Sequence, residues 1–250
     1  MAPRIGVVVF PGTNCEHDVV QAAAAAGGEG VLLWHGDTQL GAVDAVVLPG
    51  GFAHGDYLRP GALARFSPVM GAVAEFARGG GPVVGICNGF QVLTEAGLLP
   101  GALQKNGRLR FLCEPTRLVV TSTASVLTAG SSVGDELVIP INHFSGNYTC
   151  DDETLRRLQA EDRIVLRYAD NPNGSVNAIA GIADPEGATI ERALPALGFE
   201  GVAHVRAGRS FSFEVDAPDE GAARITAGEL ADRLLANPVI EQSRLELEAI

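Results

Sequence analysis

The sequence predicts an α/β fold with a parallel sheet and helices on both of its faces. Short apolar runs at residues 5–10, 31–34 and 45–48 alternate with helical patterns in the first part of the chain. Continuous apolar runs are typical of strands buried on both faces, and strand–helix alternation is typical of a parallel sheet. A further apolar run, residues 83–86, leads directly into Cys87 and an amphipathic segment, which indicates a strand, a sharp turn and a helix.

The remaining predicted elements follow in chain order. A helix is predicted at 18–26, closed by a Gly-Gly pair, and a second at 61–78, interrupted near Pro68. After residue 101 the pattern changes to strands joined without intervening helices. These are predicted at 111–121, 136–141, 164–168 and 176–182, with one short helix at 151–160.

Length, charge and cysteine usage exclude several classes of protein. A chain of 250 residues holds one α/β domain with a small appendage, or two small domains. A net charge of −12 without a Lys/Arg cluster excludes a general nucleic-acid binder. We expect no membrane span, because no apolar run is long enough, and no signal peptide, because residues 1–4 lead straight into a predicted strand. The four cysteines form no CxxC pair, which argues against a zinc site and against a disulfide framework. We therefore expect the protein to be located in the reducing cytoplasm.

Cys87 is the candidate nucleophile. It follows a strand and begins a helix, where free N–H groups and the helix dipole favour the thiolate. Gly85 and Gly89 flank it, and small residues there allow a strained backbone and close packing. The alternative is a buried structural cysteine.

A Gly50-Gly51 pair ends the predicted strand at 45–48. Backbone N–H groups at such a pair can point into a cleft without a side chain in the way and stabilise an oxyanion. In a doubly wound sheet this strand end and Cys87 lie on the same carboxyl edge, where ligands bind. The alternative is an ordinary Gly-Gly turn.

Residues 4–183 resemble class I glutamine amidotransferases, and among them the glutaminase subunit of phosphoribosylformylglycinamidine synthase, an enzyme of purine biosynthesis. The resemblance rests on motifs in unbroken order: residues 12–16, Leu48-Pro49-Gly50-Gly51-Phe52, residues 55–59, Gly85-Ile86-Cys87-Asn88-Gly89-Phe90-Gln91, residues 97–101, Asn106, and residues 111–113, 139–143, 146–148 and 171–175. It implies a flavodoxin-like doubly wound sheet, truncated at its C-terminal end.

The resemblance also implies roles for single residues. Cys87 attacks the side-chain amide of glutamine, forms a glutamyl thioester and releases ammonia. The N–H groups of Gly51 and Asn88 hold the oxyanion. The side chains expected near the bound glutamine are Gln91, Asn142 and His143. The ammonia passes to a large ATP-dependent synthase subunit, so ATP and magnesium are expected in that partner and no cofactor or metal in this chain.

One segment of the family pattern is missing. Family members follow the strand at 176–182 with another strand that ends in His-Pro-Glu, which supplies the base and its orienting carboxylate. This chain contains no His-Pro-Glu, so the base and the carboxylate are unidentified. A relay without a positioned base is expected to hydrolyse glutamine poorly.

The tail, residues 184–250, resembles the small third subunit of the same synthase through 184–187, 193–199, 205–209 and 234–241. Its pattern predicts a small α+β, ferredoxin-like unit with a helix at 189–197, a hairpin at 202–215, a helix at 219–235 and a strand at 239–247. We therefore predict two domains, a glutaminase domain at 1–183 and this small unit at 184–250.

Three functions remain open at this point. The first is the glutaminase subunit, with the large and small synthase subunits as partners. The second is a non-catalytic scaffold of the same complex, because the His-Pro-Glu segment is absent. The third is another cysteine-elbow α/β protein, such as a peptidase or deglycase relative.

Overall fold

A computed structural model describes residues 2–183, 215 and 219–230 of the chain. The predicted tail elements at 189–197 and 239–247, and the hairpin at 202–215 apart from residue 215, lie outside the described residues. The predicted helix at 219–235 is described over Glu220–Leu230. The boundary between the two predicted domains at 183/184 stays a prediction.

The first part of the chain forms the predicted parallel sheet. Its strands are β1 (Arg4–Val9), β2 (Glu29–Trp34), β3 (Ala45–Leu48) and β4 (Val83–Gly85), in the order β2-β1-β3-β4. All three pairings are parallel. The helices between and after them are α1 (Glu16–Ala25), α2 (Val69–Arg78) and α3 (Asn88–Glu95).

The core of this layer lies between the sheet and α2 and α3. Val8, Val46 and Leu48 of the sheet pack with Val73 of α2 and Val92 of α3, and all five are fully buried. Burying apolar side chains of this size contributes roughly 1.5–3 kcal/mol each. The carboxyl ends of β3 and β4 are thereby fixed side by side.

The second part forms an antiparallel sheet, in agreement with strands that follow one another without helices. It contains β6 (Leu112–Val120), β7 (Glu136–His143), β9 (Ile164–Tyr168) and β10 (Ile179–Ile182), in the order β10-β9-β6-β7. Helix α4 (Asp152–Ala160) precedes β9. The side chain of Asp151 accepts a 2.7 Å hydrogen bond from the Thr154 N–H and so caps α4.

Two strands were not predicted. β5 (Ala102–Gln104) and β8 (Asn147–Thr149) pair as a separate antiparallel ladder. Each has three residues, too few to show an alternating pattern, so the pairing is decided by the packing around them. The fully buried Tyr148 of β8 donates its hydroxyl to the carbonyl of Pro100 at 2.8 Å.

Two predicted elements differ in detail. The segment at 61–78 is a 3-10 turn, Ala64–Phe66, followed by α2, since Ser67 is extended and Pro68 begins the new helix. The predicted strand at 176–182 begins as a 3-10 turn, Val176–Ala178, and only Ile179–Ile182 is β10. Asn177 and Ala178 have positive φ angles of 52° and 53°, which a strand does not accommodate.

The last described helix, α5, spans Glu220–Leu230. Among the helices of the described residues, none is both long enough and apolar enough to cross a membrane.

Candidate active site

Cys87 occupies the turn between β4 and α3, as predicted. Its φ of 52° and ψ of −107° are outside the regions that side-chain-bearing residues ordinarily adopt. Backbone hydrogen bonds hold this conformation from both sides. The Ile86 N–H donates to the Leu48 carbonyl at 3.0 Å, and the Gln91 N–H donates to the Cys87 carbonyl at 3.1 Å. The strained residue is thus fixed to the end of β3 and to the first turn of α3.

The two glycines flanking Cys87 permit this close approach. A Cβ on Gly89 would overlap the carbonyl oxygen of Leu48, and a Cβ on Gly85 would lie 2.6 Å from the carbonyl oxygen of Gly89. Real Cβ atoms do not approach other atoms so closely. The turn therefore requires glycine at both positions for steric reasons, in agreement with the prediction from sequence.

The two predicted oxyanion donors lie at the ends of β3 and β4. The backbone N–H of Asn88, the first residue of α3, acts on the Cys87 thiol and lowers its pKa. Gly51 has a φ of +145°, and a Cβ there would lie 2.6 Å from the backbone nitrogen of Asn14, so only glycine fits this turn. These positions are compatible with donors beside the nucleophile.

An open cavity of about 1090 Å³ has Cys87 in its wall. The structure brings together at this cavity most of the predicted site residues, namely Gly51, Gln91, Asn142 and His143. Asn88 lies behind Cys87 and is buried, at 2% exposure. Cys87, Gly51 and Gln91 follow strands of the parallel sheet, as expected for its carboxyl edge, whereas Asn142 and His143 reach the cavity from the end of β7 in the antiparallel sheet.

The protonation state of Cys87 differs from the expectation from sequence. Burial of the sulfur among the cavity walls raises the pKa of the Cys87 thiol above its usual value, although solvent reaches the residue from the cavity. The Asn88 N–H lowers this pKa, whereas Cys15 and Asp56 raise it further. Burial and neighbouring negative charge outweigh the helix terminus, so the free protein carries a thiol at neutral pH.

A chain of side-chain hydrogen bonds lies behind the nucleophile. The Asn88 side chain donates to the Asp56 carboxylate at 3.2 Å and to the Gln91 side-chain oxygen at 2.8 Å, and accepts from the Ala53 N–H at 2.9 Å. The Gln91 side chain in turn donates to the Ser145 carbonyl at 2.7 Å. Both ends of the Gln91 amide are engaged, so its side chain joins α3 to the loop that carries Ser145.

The loop at 53–59 is part of this arrangement, which sequence reasoning missed. Asp56 contacts Asn88, and Arg59 forms a bidentate pair with Glu95 of α3 at 2.6 and 2.7 Å. The backbones of His54, Asp56 and Leu58 all have positive φ. The sequence signal for this loop was the Gly-Asp-Tyr-Leu-Arg motif. Its role is visible only in the folded protein, where Asp56 and Arg59 contact residues of α3.

A second loop, residues 143–146, forms the opposite wall. Gly146 donates its N–H to the Asn106 side chain at 3.0 Å and accepts from the Asn173 side chain at 2.7 Å. The Gly146 carbonyl, which accepts the Asn173 bond, also accepts a hydrogen bond from the Ser175 hydroxyl at 3.3 Å. These hydrogen bonds hold the 143–146 loop next to Gln91, and they are made by the motif residues Asn106, Asn173 and Ser175.

His143 is the histidine of the described residues that lines the cavity with Cys87. Its ring packs on Gly146, where a Cβ would overlap it, and neither ring nitrogen has a hydrogen-bond partner among the described residues. Burial lowers the pKa of His143, so the imidazole is neutral and able to accept a proton. A further histidine, His204, lies outside the described residues.

A second cavity of about 780 Å³ adjoins the first at Cys87 and His143. Its walls include β4 and β10, and each is an edge strand of its sheet within residues 2–183. Tyr168 also lines it, and burial raises the pKa of its hydroxyl. Cys87 therefore lies where two unpaired strand edges face a common space.

Two family models match the chain. Residues 2–192 match the family model described as the CobB/CobQ-like glutamine amidotransferase domain. Residues 175–249 match a second family model, described as phosphoribosylformylglycinamidine (FGAM) synthase, PurS. The two matches overlap between residues 175 and 192.

Curated relatives and a solved structure support the first match. The chain is 55% identical to phosphoribosylformylglycinamidine synthase subunit PurQ of Rubrobacter xylanophilus, over 77% of this chain and 87% of the relative. It is 51% identical to the PurQ subunit of Rhodococcus jostii, over 76% and 85%.

Among solved structures, PurLQS from Thermotoga maritima matches with a TM-score of 0.68 and 39% identity, over 75% of this chain and 84% of that chain. These similarities confirm the predicted α/β fold and the resemblance on which the predicted roles rest. The chain belongs to the CobB/CobQ-like glutamine amidotransferase family.

Proposed function

We propose that this chain is the glutaminase component of phosphoribosylformylglycinamidine synthase. The observation that carries the proposal is the strained Cys87 in the wall of a cavity, directly before the N-terminus of α3. The names of the relatives and of the solved complex support the choice of synthase. In this function the chain hydrolyses glutamine and supplies ammonia for purine biosynthesis.

The Cys87 sulfur attacks the side-chain amide carbon of glutamine. The carbonyl oxygen becomes an oxyanion, and the Gly51 and Asn88 N–H groups stabilise it. Collapse of this intermediate breaks the C–N bond, the leaving nitrogen takes up the proton that the Cys87 thiol gave up and departs as ammonia, and a glutamyl thioester remains on Cys87. Water then hydrolyses the thioester to glutamate and restores the thiol.

Gln91, Asn142 and His143 border the space that the substrate occupies. Because the Gln91 amide is already bonded at both ends, we assign it to positioning Asn88 and the 143–146 loop. His143 is neutral and shares the cavity with Cys87, so it is the candidate base. No described carboxylate hydrogen-bonds its ring, and a base without an orienting carboxylate is weaker.

The large synthase subunit consumes the ammonia and holds ATP and magnesium. The loop at 53–59 presents Tyr57 and Leu58 to solvent, at 74% and 86% exposure, beside the rim of the cavity. An exposed aromatic and an exposed leucine on a rigid loop are typical of a protein contact. We assign this loop to the large subunit, the tail to the role of the small PurS-type subunit, and the whole chain to the cytoplasm.

Glutamate release tests the proposal directly. The full-length chain, mixed with its large subunit, is assayed for glutamate beside a Cys87→Ala control. We expect turnover that depends on Cys87 and a covalent adduct on Cys87 with a glutamine-like diazoketone. Equal glutamate release by the Cys87→Ala variant, or no adduct on Cys87, would contradict the proposal.

Two earlier hypotheses are set aside. A peptidase or deglycase relative is excluded by membership of the amidotransferase family. The comparisons do not favour a non-catalytic scaffold, because the curated relatives are synthase subunits of the same family.

A further inference from the structure

A second thiol lies close to the nucleophile, and the proposed reaction does not use it. The position that a Cβ on Gly50 would occupy is 3.5 Å from the Cys15 sulfur, 3.9 Å from the Cys15 Cβ and 3.6 Å from the Cys87 Cβ. Both side chains therefore touch one methyl-sized space above Gly50. Both residues also line the larger cavity, and both thiols are free.

The backbone holds the two cysteines in this arrangement. The Cys15 N–H donates to the Gly50 carbonyl at 3.2 Å, which fixes the start of α1 on the end of β3. Cys87 is fixed to the same strand end through the Ile86 N–H and the Leu48 carbonyl. The Cβ atoms of Cys15 and Cys87 lie 3.9 and 3.6 Å from the position that a Cβ on Gly50 would occupy. A disulfide requires Cβ atoms about 3.5–4.5 Å apart, so closing it requires rotation of both side chains and a shift of the turn that carries Cys15.

We propose that Cys15 and Cys87 form a reversible disulfide when the protein meets a peroxide. The Cys87 thiolate attacks one oxygen of hydrogen peroxide, gaining an S–O bond while the O–O bond breaks and hydroxide leaves. The Cys15 thiolate then attacks the Cys87 sulfur, and the S–S bond replaces the S–O bond as a second hydroxide leaves. In total, two thiols and one peroxide give one disulfide and two waters, so sulfur is oxidised and oxygen reduced.

The disulfide would protect the nucleophile. A sulfenic acid at an exposed cysteine without a partner proceeds to sulfinic acid, which ordinary thiols do not reverse. Cys87 is exposed to the cavity, and Cys15 is the cysteine beside it. Cys113 and Cys150 do not line this cavity, so they serve as internal controls.

Ionisation of the two thiols gives the reaction a pH dependence, and the carboxylates beside them are Asp18 and Glu16 at Cys15 and Asp56 at Cys87. Burial raises the pKa of the Cys15 thiol, and the carboxylates of Asp18 and Glu16 raise it further. Burial also raises the pKa of Cys87. Because the thiolate is the reacting form, we expect oxidation to be faster at pH 9 than at pH 7.

Peptide mapping without reduction tests this inference independently of glutamine turnover. Cleavage after Lys and Arg, except at the resistant Arg59–Pro60 bond, places the four cysteines in four different peptides, residues 5–65, 79–105, 111–117 and 118–156. The full-length protein is treated with hydrogen peroxide, and remaining thiols are blocked with iodoacetamide. We expect 5–65 linked to 79–105, and loss of this species on reduction with dithiothreitol.

Three variants distinguish a specific disulfide between Cys15 and Cys87 from nonspecific oxidation. Cys113→Ser should keep the linked species, whereas Cys15→Ser and Cys15→Ala should lose it and accumulate Cys87 sulfinic acid. The wild-type map alone remains decisive if both Cys15 variants fail to fold. Absence of the 5–65/79–105 species in the wild-type protein, or preferential linkage of Cys87 to Cys113 or Cys150, would overturn the inference.

Discussion

Gly89 of α3 lies directly on the carbonyl of Leu48 at the end of β3. A Cβ at Gly89 would overlap that oxygen, while the same carbonyl accepts the Ile86 N–H at 3.0 Å. The contact joins the first turn of the helix to the neighbouring strand without a side chain between them. It sets the distance between the Cys87 turn and the Gly50-Gly51 turn, and hence the geometry of the site.

We therefore expect Gly89→Ala to be destabilising. A methyl group forced into packed backbone costs typically about 1–3 kcal/mol, and here backbone rather than a flexible side chain must move. Gly130→Ala is the matched control, because nothing lies within 4 Å of a Cβ at that position. Denaturant unfolding should show a lower free energy of unfolding for Gly89→Ala alone. Equal stabilities for the two variants would mean that the contact is not tight.

A reagent shaped like glutamine should label Cys87 selectively, whereas a small alkylating reagent should label Cys87 and Cys113 alike. Both Cys87 and Cys113 are exposed, so iodoacetamide is expected to label both. A glutamine-like diazoketone needs the cavity and the predicted oxyanion donors, which lie beside Cys87, whereas Cys113 does not line that cavity. Peptide mapping after each reagent measures the difference. Equal labelling of 79–105 and 111–117 by the diazoketone would contradict the assignment.

Steady-state glutamine turnover should be slow, even with the large subunit present. A positioned general base contributes roughly 10²–10⁴-fold, and the described residues offer His143 without an orienting carboxylate. We expect the thioester to form and its hydrolysis to limit the rate. Rapid-quench measurement should then show a burst of ammonia followed by slow glutamate release.

His143→Asn tests whether His143 is the general base. If His143 takes the proton, this variant should slow the burst by ten-fold or more. Asn142→Ala, at a neighbouring position of the same cavity, should mainly raise KM. An unchanged burst in His143→Asn would show that the base comes from elsewhere.

Stability should fall as the pH is lowered below about 6.5. Burial, and then the neighbouring His35, lower the pKa of His54 from 6.5, and burial lowers that of His143. The unfolded chain therefore binds these protons at a higher pH than the folded chain does, so acid favours unfolding. The free energy of unfolding should begin to fall near the ordinary histidine pKa and continue to fall until the pH reaches the lowered pKa values of the folded protein.

His54→Asn tests this window. Asn tolerates the positive φ of 53° at this position, and the variant should flatten the fall in unfolding free energy between pH 7.5 and pH 5.5. His17→Asn, at an exposed position, is the control. If His54→Asn and His17→Asn show the same pH dependence as the wild type, His54 does not contribute.

Leu58→Asp should weaken binding to the large synthase subunit without unfolding this chain. Leu58 is 86% exposed, so a charge there costs little in the free protein but opposes an apolar contact. Val133→Asp is the control, because Val133 is also exposed, at 67%, and does not line the cavity. Analytical ultracentrifugation or calorimetry would measure the affinity. Equal loss in both variants would argue against a contact at the 53–59 loop.

The sequence alone identified the parallel layer and the nucleophile. Continuous apolar runs specify buried strands, and the glycines around Cys87 specify a close turn, because both are local properties of the chain. The predicted order of strand, turn and helix at 83–95 is therefore found in the structure. The strands of the second sheet were also predicted one by one, but their pairing into a separate antiparallel sheet was not.

Only the tertiary structure showed why Asp56, Asn106 and Asn173 belong to the motifs. Asp56 meets Asn88 across 32 positions of sequence, and Gln91 meets Ser145 across 54. It also placed Cys15 against Cys87, and showed that burial raises the Cys87 pKa although a helix terminus lowers it. Such contacts and the desolvation that accompanies them depend on how distant segments pack, and no local pattern of residues specifies that packing.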